Sequence, residues 1–325
     1  MLSWKRFCSA LALACLVTSP SHAEIDAVSV VWHNDLFAGK DGGGYTNGVF
    51  LSWYDLYNED QPDKKPPLLT RPVSWLVSDD YTSAFSAHTL GQIMSTPRDI
   101  SKTRPDPNDA PYAGILFLRS SWFVTTDNVA DNVSLTLGVL GPDSGAERTQ
   151  KWIHDITGST EPKGWDSQLK NEIVGQVSRG RTWRFAVGDS DRFDLLGMAN
   201  LNLGNLESAV GTGAMIRYGS GLIDSFPATA MLTGRITNPI ALDGGWYFYA
   251  GGYGEYVHNS ILVNGNTFRS SPSASLRHEQ YTLLAGFAVS WRSFTASLAY
   301  ADGSSLDKLA TSRQTFGAIT LAWRL

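Results

Sequence analysis

Segments of roughly ten residues with alternating apolar and polar side chains recur along the chain, and this pattern restricts its fold more than any other feature. A period of two is typical of strands with one apolar face, and its repetition is the signature of a membrane β-barrel. The last segment is the clearest case, because large apolar residues alternate there with smaller or polar ones: Ile319, Leu321, Trp323 and Leu325. Outer-membrane barrels commonly end in such a strand, although a terminal Phe is more usual than Leu325.

The composition agrees with a barrel in a membrane. Aromatic residues make up 11% of the chain, as girdles at two membrane interfaces require, and glycine is abundant, with 31 residues. A soluble β-sandwich or a secreted barrel shares the alternation and stays open as an alternative. The fold class that the pattern favours is all-β: a transmembrane antiparallel β-barrel.

Thirteen segments are candidate strands: 26–36, 45–57, 84–96, 112–125, 132–141, 173–188, 192–204, 208–218, 228–237, 245–258, 278–291, 293–302 and 313–325. A bacterial single-chain barrel has an even number of strands. The segment 228–237 is the weakest candidate, because Pro227 precedes it and Asn238 and Pro239 follow it. The sequence therefore predicts twelve strands. Three long polar segments fit external loops: 58–80, 97–111 and 142–172.

The N-terminal residues 1–23 look like a secretory signal peptide. Two basic residues precede an apolar run that is too short to span a bilayer, and small residues at positions 21 and 23 suit a cleavage site. Residues 24–325 then form one barrel domain in the outer membrane. A lipoprotein anchored through Cys15 is the weaker alternative. Both cysteines, Cys8 and Cys15, lie in the leader, so the mature chain offers no disulfide, thiolate metal site or cysteine nucleophile.

The charge of the mature chain argues against nucleic acid as a partner. Without the leader the chain has 24 basic and 31 acidic residues, a net charge of −7, whereas phosphate binding needs a basic face. A local basic patch for an anionic lipid headgroup is compatible with this balance. After the leader no apolar run reaches 18 residues, so no transmembrane helix is predicted.

One segment of the mature chain has the pattern of a helix. Gln150 and His154 are four residues apart, so they share one helix face. Asp143 or Ser144 is expected to cap the helix, and Gly158 to end it. A titratable imidazole beside a neutral amide, on a helix added to a β scaffold, indicates a working site in an external loop.

The turn between the first two strands gathers oxygen ligands. Asn34 and Asp35 end the first strand, and Thr46 lies near the start of the second, after three consecutive glycines. The hairpin brings these side chains to one rim, and carboxylate, amide and hydroxyl oxygens are the ligands that Ca²⁺ prefers. An ordinary turn with a solvated carboxylate is the simpler alternative.

Three basic residues lie in the loop after the third strand: Arg98, Lys102 and Arg104. They are candidates to hold phosphate groups of an anionic lipid. A solvated loop, balanced by nearby aspartates, is the simpler alternative.

Other catalytic signals are poor. The chain has no Gly-x-Ser-x-Gly elbow and no histidine cluster spaced for zinc. Four other histidines compete with His154 for a role: His33 neighbours Asn34, while His88, His258 and His278 have no helix context.

Several segments together, and in this order, resemble the outer-membrane lipid A 3′-O-deacylase family: Asn34 with Asp35, Tyr45 to Gly48, Gln92 with Thr96 and Pro97, Tyr112 to Gly114, Gly138 to Gly145, Gln150 with His154, and Gly164 to Glu172. The resemblance covers nearly the whole mature chain, although its specific motifs lie within residues 34–172. It implies a twelve-stranded barrel whose active site lies at the outer rim, beside a helix from an external loop. It also implies a Ca²⁺-dependent esterase that removes the 3′ acyloxyacyl group of lipid A.

The resemblance also implies roles for single residues. Asp35 and Thr46 match the metal corner, with Asn34 as a metal ligand or an oxyanion donor, and Gln150 and His154 match the polar pair on the helix. In the basic loop, Lys102 matches a residue near the substrate phosphate. The family pattern has two adjacent basic residues there, whereas Thr103 separates Lys102 from Arg104 in this chain.

The chemistry of an ester hydrolase fits these residues. With no activated serine in evidence, water is the expected nucleophile, and neutral His154 is the expected general base. The expected partner is lipid A in the outer leaflet, acted on by a monomer. Two rival readings stay open: a passive pore or binding barrel of the same fold, and a phospholipase-type barrel with a serine nucleophile.

Overall fold

A computed structural model of the chain describes residues 25–34, 44–56, 64–187, 191–229, 244–310 and 313–325. The predicted leader 1–23 and the predicted metal ligand Asp35 lie outside these residues. The described residues form twelve strands: β1 Ala27–Asn34, β2 Gly44–Asp55, β3 Ser83–Thr96, β4 Ala113–Thr125, β5 Val129–Leu140, β6 Glu172–Ala186, β7 Phe193–Gly204, β8 Glu207–Ser220, β9 Gly245–Ser260, β10 Glu279–Trp291, β11 Phe294–Gly303 and β12 Gln314–Arg324. Three α-helices accompany them: α1 Ala146–Thr157, α2 Phe226–Thr229 and α3 Ile261–Asn264.

The strands form one closed antiparallel barrel in which β1 pairs with both β2 and β12. Twelve strands and the all-β class were predicted, and both are confirmed. The candidate strand 228–237 is not needed for closure: it overlaps α2, and the rest of it, from residue 230, lies outside the described residues. No described helix has the length and apolarity to cross a membrane.

Consecutive connections alternate between the two ends of an antiparallel barrel. The end that carries the β1–β2, β3–β4 and β5–β6 connections, and with them α1, is called the helix rim. The connection between β2 and β3 lies at the opposite rim and includes a 3₁₀ helix, Arg71–Leu76. The prediction that 58–80 is an external loop like 97–111 and 142–172 is therefore wrong, because an odd number of strands separates it from each of them.

The barrel lumen is a packed core. One buried cluster joins inward side chains from eleven of the twelve strands, among them Tyr54, Phe123 and Tyr249, with Leu222 and Phe226 from the β8–β9 connection. At the helix rim, buried apolar residues from α3 and the neighbouring loops cover the inside of the barrel: Ile261, Leu262, Val263, Leu276 and Leu306. The described part of the barrel is thus filled as a protein interior is filled, which disfavours the pore reading.

A buried ion cluster fixes the β8–β9 connection inside the barrel. Arg217 donates to both carboxylate oxygens of Asp194, at 2.9 and 2.6 Å, and Arg184 donates to the same carboxylate at 2.8 Å. Arg217 also donates to the Leu222 carbonyl oxygen at 2.8 Å. Bidentate pairing of this kind offsets the cost of burying charge, so the cluster positions the segment that fills this end of the lumen.

Candidate active site

A row of directly opposed residues crosses four neighbouring strands at the helix rim. Asn34 on β1 lies opposite Asn47 on β2, and Met94 on β3 lies opposite both Asn47 and Gly114 on β4. Directly opposed residues point to the same face of a sheet, and residues an odd number of positions apart point to opposite faces.

This row faces outward, away from the lumen. Val31 lies three residues before Asn34, and Phe50 lies three residues after Asn47. Val31 and Phe50 oppose each other and belong to the same buried lumen cluster. The side chains of the row therefore lie on the outer wall, the face that a membrane barrel turns to lipid.

The outward row is nevertheless buried. Asn34 is 4% exposed, Asn47 is 3% exposed, and Met94 is fully covered. The residues that cover Met94 come from the β3–β4 and β5–β6 connections: Ile100, Tyr112, Ala146 and Trp165. We call this part of the outer wall, at the helix-rim ends of β1 to β4, the covered sector.

The covered sector holds a polar atom that no described neighbour satisfies. The side-chain oxygen Oδ1 of Asn47 is buried and accepts no hydrogen bond from the described residues. Leaving a buried acceptor unsatisfied costs about 1–3 kcal/mol. Such a group calls for an explanation, such as a bound water, an ion or a catalytic role, and Asn47 points to the same face as Asn34.

Helix α1 rests directly on this wall. A Cβ atom at Gly114 would lie 2.2 Å from the Ala146 Cβ and 2.5 Å from the Ser144 Oγ, so only glycine lets the helix start approach β4 so closely. Gln92 on β3 also donates through Nε2 to the Ser144 carbonyl oxygen at 2.7 Å. The start of α1 is therefore held against β3 and β4 from outside the barrel.

The predicted helix is confirmed, but its predicted cap is wrong. The N-cap of α1 is Gly145, in a left-handed conformation with φ 73°, and not Asp143 or Ser144, which belong to the preceding 3₁₀ turn. The tight approach to β4 places this turn where a capping side chain was expected. The predicted end is correct, because Gly158 is the C-cap with φ 69°.

Gln150 has a fixed orientation on the buried face of α1. It is 2% exposed, and its Oε1 accepts a hydrogen bond from the Trp165 indole Nε1 at 2.8 Å. An indole N–H is a donor only, so the amide oxygen must face Trp165 and the amide nitrogen must face away. The Nε2 group is buried and makes no hydrogen bond to any described residue. Gln150 therefore has an N–H donor available for a bound group.

His154 has a fixed tautomer. It follows Gln150 by one helical turn and is 7% exposed. Its Nδ1 lies 2.6 Å from the Thr160 carbonyl oxygen. A carbonyl only accepts, so Nδ1 carries the proton, and in the neutral ring Nε2 holds a lone pair. Nε2 has no hydrogen-bond partner among the described residues, which leaves it able to accept a proton.

The basic loop packs beside these residues. The backbone N–H of Lys163 donates to the Ile100 carbonyl at 2.9 Å, and a Cβ at Gly164 would lie 3.0 Å from the Lys102 carbonyl oxygen. The loop that carries Lys102 therefore contacts the segment that carries Trp165, the partner of Gln150.

The three predicted phosphate-binding side chains have different settings. Arg98 donates through Nε to Asp109 at 3.2 Å, and Lys102 lies 3.4 Å from Asp99. The hydroxyl of Ser101 lowers the pKa of Asp99 through a 2.6 Å hydrogen bond, and Lys102 adds to this effect. Arg104 is exposed. All three cations are therefore open to water: the Arg98 side chain is 41% exposed beside Asp109, and the Lys102 side chain is 58% exposed beside Asp99.

The predicted calcium corner is described in part. The backbone of Thr46 lies in β2 at a register shift between Tyr45 and Asn47, and its side chain, like Asp35, lies outside the described residues. Among the described residues, no group of three or more His, Cys, Asp or Glu side chains gathers to hold a metal. The unsatisfied amide oxygen of Asn47 next to Asn34 fits Ca²⁺, which prefers hard oxygen ligands.

Two other features differ from what the sequence suggested. His33 does not share the face of Asn34, because it points into the lumen, where it stacks on Phe316 and meets the edge of Phe50. The sequence alone assigns no role to Asn47 or Trp165. Pairing β1 with β2 through the glycine turn would have placed Asn47 opposite Asn34, whereas no sequence pattern indicates the contact of Trp165 with Gln150.

Comparison with known proteins gives one family. A family model described as outer membrane protein LpxR matches residues 7–325. No match was found among curated proteins.

Among solved structures, the chain is similar to LpxR from Salmonella typhimurium, with a TM-score of 0.73 and 16% identity, over 92% of this chain and 100% of that one. Weaker similarities include the translocator domain of the autotransporter NalP from Neisseria meningitidis, with a TM-score of 0.44 and 9% identity over 100% and 97% of the two chains. The KdgM porin gives a TM-score of 0.39 and 5% identity over 92% and 99%.

Proposed function

The chain belongs to the LpxR family of outer-membrane lipid A 3′-O-deacylases, and we propose that it hydrolyses the 3′-linked acyloxyacyl ester with water, His154 as the general base and Ca²⁺ as the cofactor. The substrate is lipopolysaccharide in the membrane that the barrel spans. The observation that carries the proposed base is the 2.6 Å contact between His154 Nδ1 and the Thr160 carbonyl, because it leaves Nε2 as the proton acceptor.

The position of the site supports a lipid substrate. Gln150 and His154 face the barrel from outside, and the asparagine row lies on the outer wall. A lipid that diffuses in the outer leaflet reaches an outer wall sideways, without entering the packed lumen. The same packing disfavours a pore as the function of this barrel.

Each side chain has a definable task in the proposed reaction. His154 Nε2 takes a proton from water, and the water oxygen forms a bond with the ester carbonyl carbon. The N–H of Gln150 is a candidate donor to the oxyanion, whose stabilisation by one such donor is typically worth 10²–10³-fold in rate. The bond from the acyl carbon to the sugar oxygen then breaks, and His154 returns its proton to that oxygen. The products are a carboxylic acid, which releases its proton to water at neutral pH, and the free 3′-hydroxyl.

The metal corner and the basic loop complete the proposal. Asp35, Thr46 and the amide oxygens of Asn34 and Asn47 are the residues proposed to hold Ca²⁺. The ion would polarise the ester carbonyl and stabilise its developing charge. Lys102 and Arg104 are proposed to bind a phosphate of the lipid A headgroup, because both are exposed and cationic at the same rim.

A serine nucleophile is the second mechanism to consider, and the geometry favours water. No described serine hydroxyl lies within hydrogen-bond distance of the His154 ring, whose Nδ1 is engaged by Thr160. A serine-directed phosphonate that labels the protein covalently and stops turnover would overturn the water mechanism and keep the esterase assignment.

The test of the proposed function is mass spectrometry of lipid A from cells with and without the protein. Cells that contain it should accumulate lipid A that lacks the 3′ acyloxyacyl group. In outer-membrane extracts a Ca²⁺ chelator should abolish the conversion, and added Ca²⁺, but not Zn²⁺, should restore it, because oxygen ligands disfavour zinc. Calcium binding measured directly on Asp35→Ala and on the unmutated protein gives a readout besides activity. Full deacylation by Asp35→Ala in excess chelator would remove the metal from the proposal.

A further inference from the structure

Helix α1 has two further faces that hydrolysis does not use. Its buried face carries Ala146, Gln150 and His154. With about 100° of rotation per residue, Trp152 and Ile156 lie about 120–160° round the helix from the centre of that face in one direction, and Lys151 and Asp155 lie about 100–140° round it in the other. The side of the helix turned away from the barrel therefore has an apolar flank and a charged flank, and the exposed Arg148, four residues before Trp152, lies at the N-terminal end of the apolar flank.

The apolar flank is bare. Trp152 is 64% exposed and Ile156 is 66% exposed. They are four residues apart and form one continuous stripe. On the charged flank, Lys151 pairs with Glu147 at 2.7 Å in the open. An exposed apolar stripe of this kind would promote aggregation of a soluble protein. Helix α1, however, lies against the outer wall of a membrane barrel, where lipid can cover the stripe.

The outer wall around the helix rim is also apolar and bare away from the covered sector. Large outward side chains are exposed near the same rim on six strands: Ile173, Leu203, Val210, Tyr256, Leu283 and Tyr300. In a membrane barrel such residues contact acyl chains. The apolar flank of α1 therefore continues a surface that already faces lipid.

We propose that α1 lies in the membrane interface, with Trp152 and Ile156 inserted among the acyl chains of the outer leaflet and with Lys151 and Asp155 in the headgroup layer. This inference rests on the proposed function for the position of the substrate but not for its chemistry. Interfacial helices combine a strongly polar face with an apolar one, and tryptophan is enriched at this depth. An ester between a sugar and an acyl chain lies at the same boundary, so the arrangement sets His154 at the depth of the bond it attacks.

The test is a depth measurement by spin labelling. Cys8 and Cys15 are the chain's only cysteines, so Cys8→Ser with Cys15→Ser gives a background for single-cysteine variants of the full chain. Trp152→Cys and Ile156→Cys report on the apolar flank, and Lys151→Cys and Asp155→Cys are matched controls one residue away. Each nitroxide-labelled protein is placed in vesicles of phosphatidylethanolamine and phosphatidylglycerol. Collisions with oxygen, which concentrates in acyl chains, are compared with collisions with a water-soluble nickel chelate.

Labels at 152 and 156 should collide several-fold more with oxygen than with nickel, and labels at 151 and 155 should show the reverse. Nickel-dominated collisions at all four positions would place α1 in water and overturn the proposal. Labels at 152 and 156 that neither reagent reaches would mean that protein covers this flank, which also overturns it. The measurement needs no turnover, so a failure of the proposed hydrolysis would leave its result unchanged.

Discussion

Two parts of the same outer wall differ sharply at the helix rim. On β6 to β11 each strand exposes at least one large apolar side chain on the outer wall near this rim, and we call this part the bare sector. On β1 to β4, the covered sector places Asn34, Asn47, Met94 and Gly114 at outward positions, and the loops bury them. Both sectors belong to one closed sheet, so the fold alone does not distinguish them.

The difference shows how a lipid-facing enzyme is built on a barrel. The bare sector only has to match acyl chains, whereas the covered sector holds polar groups that lipid could not satisfy. Two loops shield those groups: the Leu169 N–H donates to the Tyr112 carbonyl at 2.9 Å, and Gly141 donates to Gly114 at 2.8 Å. Buried polar groups on an outward face are thus a better indicator of the site than the barrel itself.

The largest expected effect on deacylation comes from comparing two histidine variants, one from each sector. His154→Ala should reduce deacylation by about 10²–10⁴-fold, because the general base is lost. His258→Ala is the matched control, since His258 is exposed on β9 in the bare sector, and it should keep full activity. Both variants should retain the heat-dependent mobility shift of a folded barrel in detergent. Unchanged deacylation by a folded His154→Ala protein would exclude His154 from the chemistry.

The next prediction displaces helix α1 without replacing a polar residue. Gly114→Leu should lower turnover by about 10²-fold, since its side chain would displace the start of α1 and small misplacements are that costly. Gly254→Leu is the control, because a Cβ there meets nothing within 4 Å. Rates are measured on lipid A in detergent, with the mobility shift as the folding check. Equal rates for the two variants would mean that the contact of α1 with β4 does not position the site.

A smaller effect is expected at the contact that orients Gln150. Trp165→Phe keeps an aromatic ring but removes the N–H that donates to Gln150 Oε1, so the amide is free to turn its oxygen towards the substrate. The loss is about one hydrogen bond, or about 1 kcal/mol, so kcat should fall about fivefold with KM little changed. A decrease confined to KM would instead assign Trp165 to substrate binding.

The sequence was sufficient to predict the barrel and helix α1. It was insufficient to predict that loops bury the covered sector. Alternation reports which face of a strand is apolar and gave thirteen candidate strands, and the even number of strands in such barrels reduced them to twelve. The sequence also identified three candidate site residues: Asn34 through its place in the first hairpin, and Gln150 and His154 through their spacing of four residues.

What the sequence did not show were contacts between distant segments. Ile100 and Trp165 join Met94 across two loops, and no periodicity encodes that meeting. The cap of α1 was mispredicted for the same reason, because a close approach to β4 took precedence over local capping preference.

The smallest expected effect tests whether the loops of the covered sector exclude water from Tyr112. Burial raises the pKa of Tyr112 to about 12, from the ordinary value of 10.0. Between these two values the folded protein keeps a proton that the unfolded chain has lost. The contribution of Tyr112 to stability is therefore complete below about pH 10 and is lost as the pH rises towards 12.

The measurement is the tyrosinate absorbance difference between the unmutated protein and Tyr112→Phe. In the folded barrel this difference should titrate near pH 12, and after unfolding it should titrate near pH 10. Tyr112→Phe also loses the 3.2 Å hydrogen bond to the Ile100 carbonyl, which costs about 1 kcal/mol at every pH, but it should lose less stability than the unmutated protein between pH 10 and 12. A folded-state difference that titrates near pH 10 would show that water reaches Tyr112, and the covered sector would then be as open as the bare one.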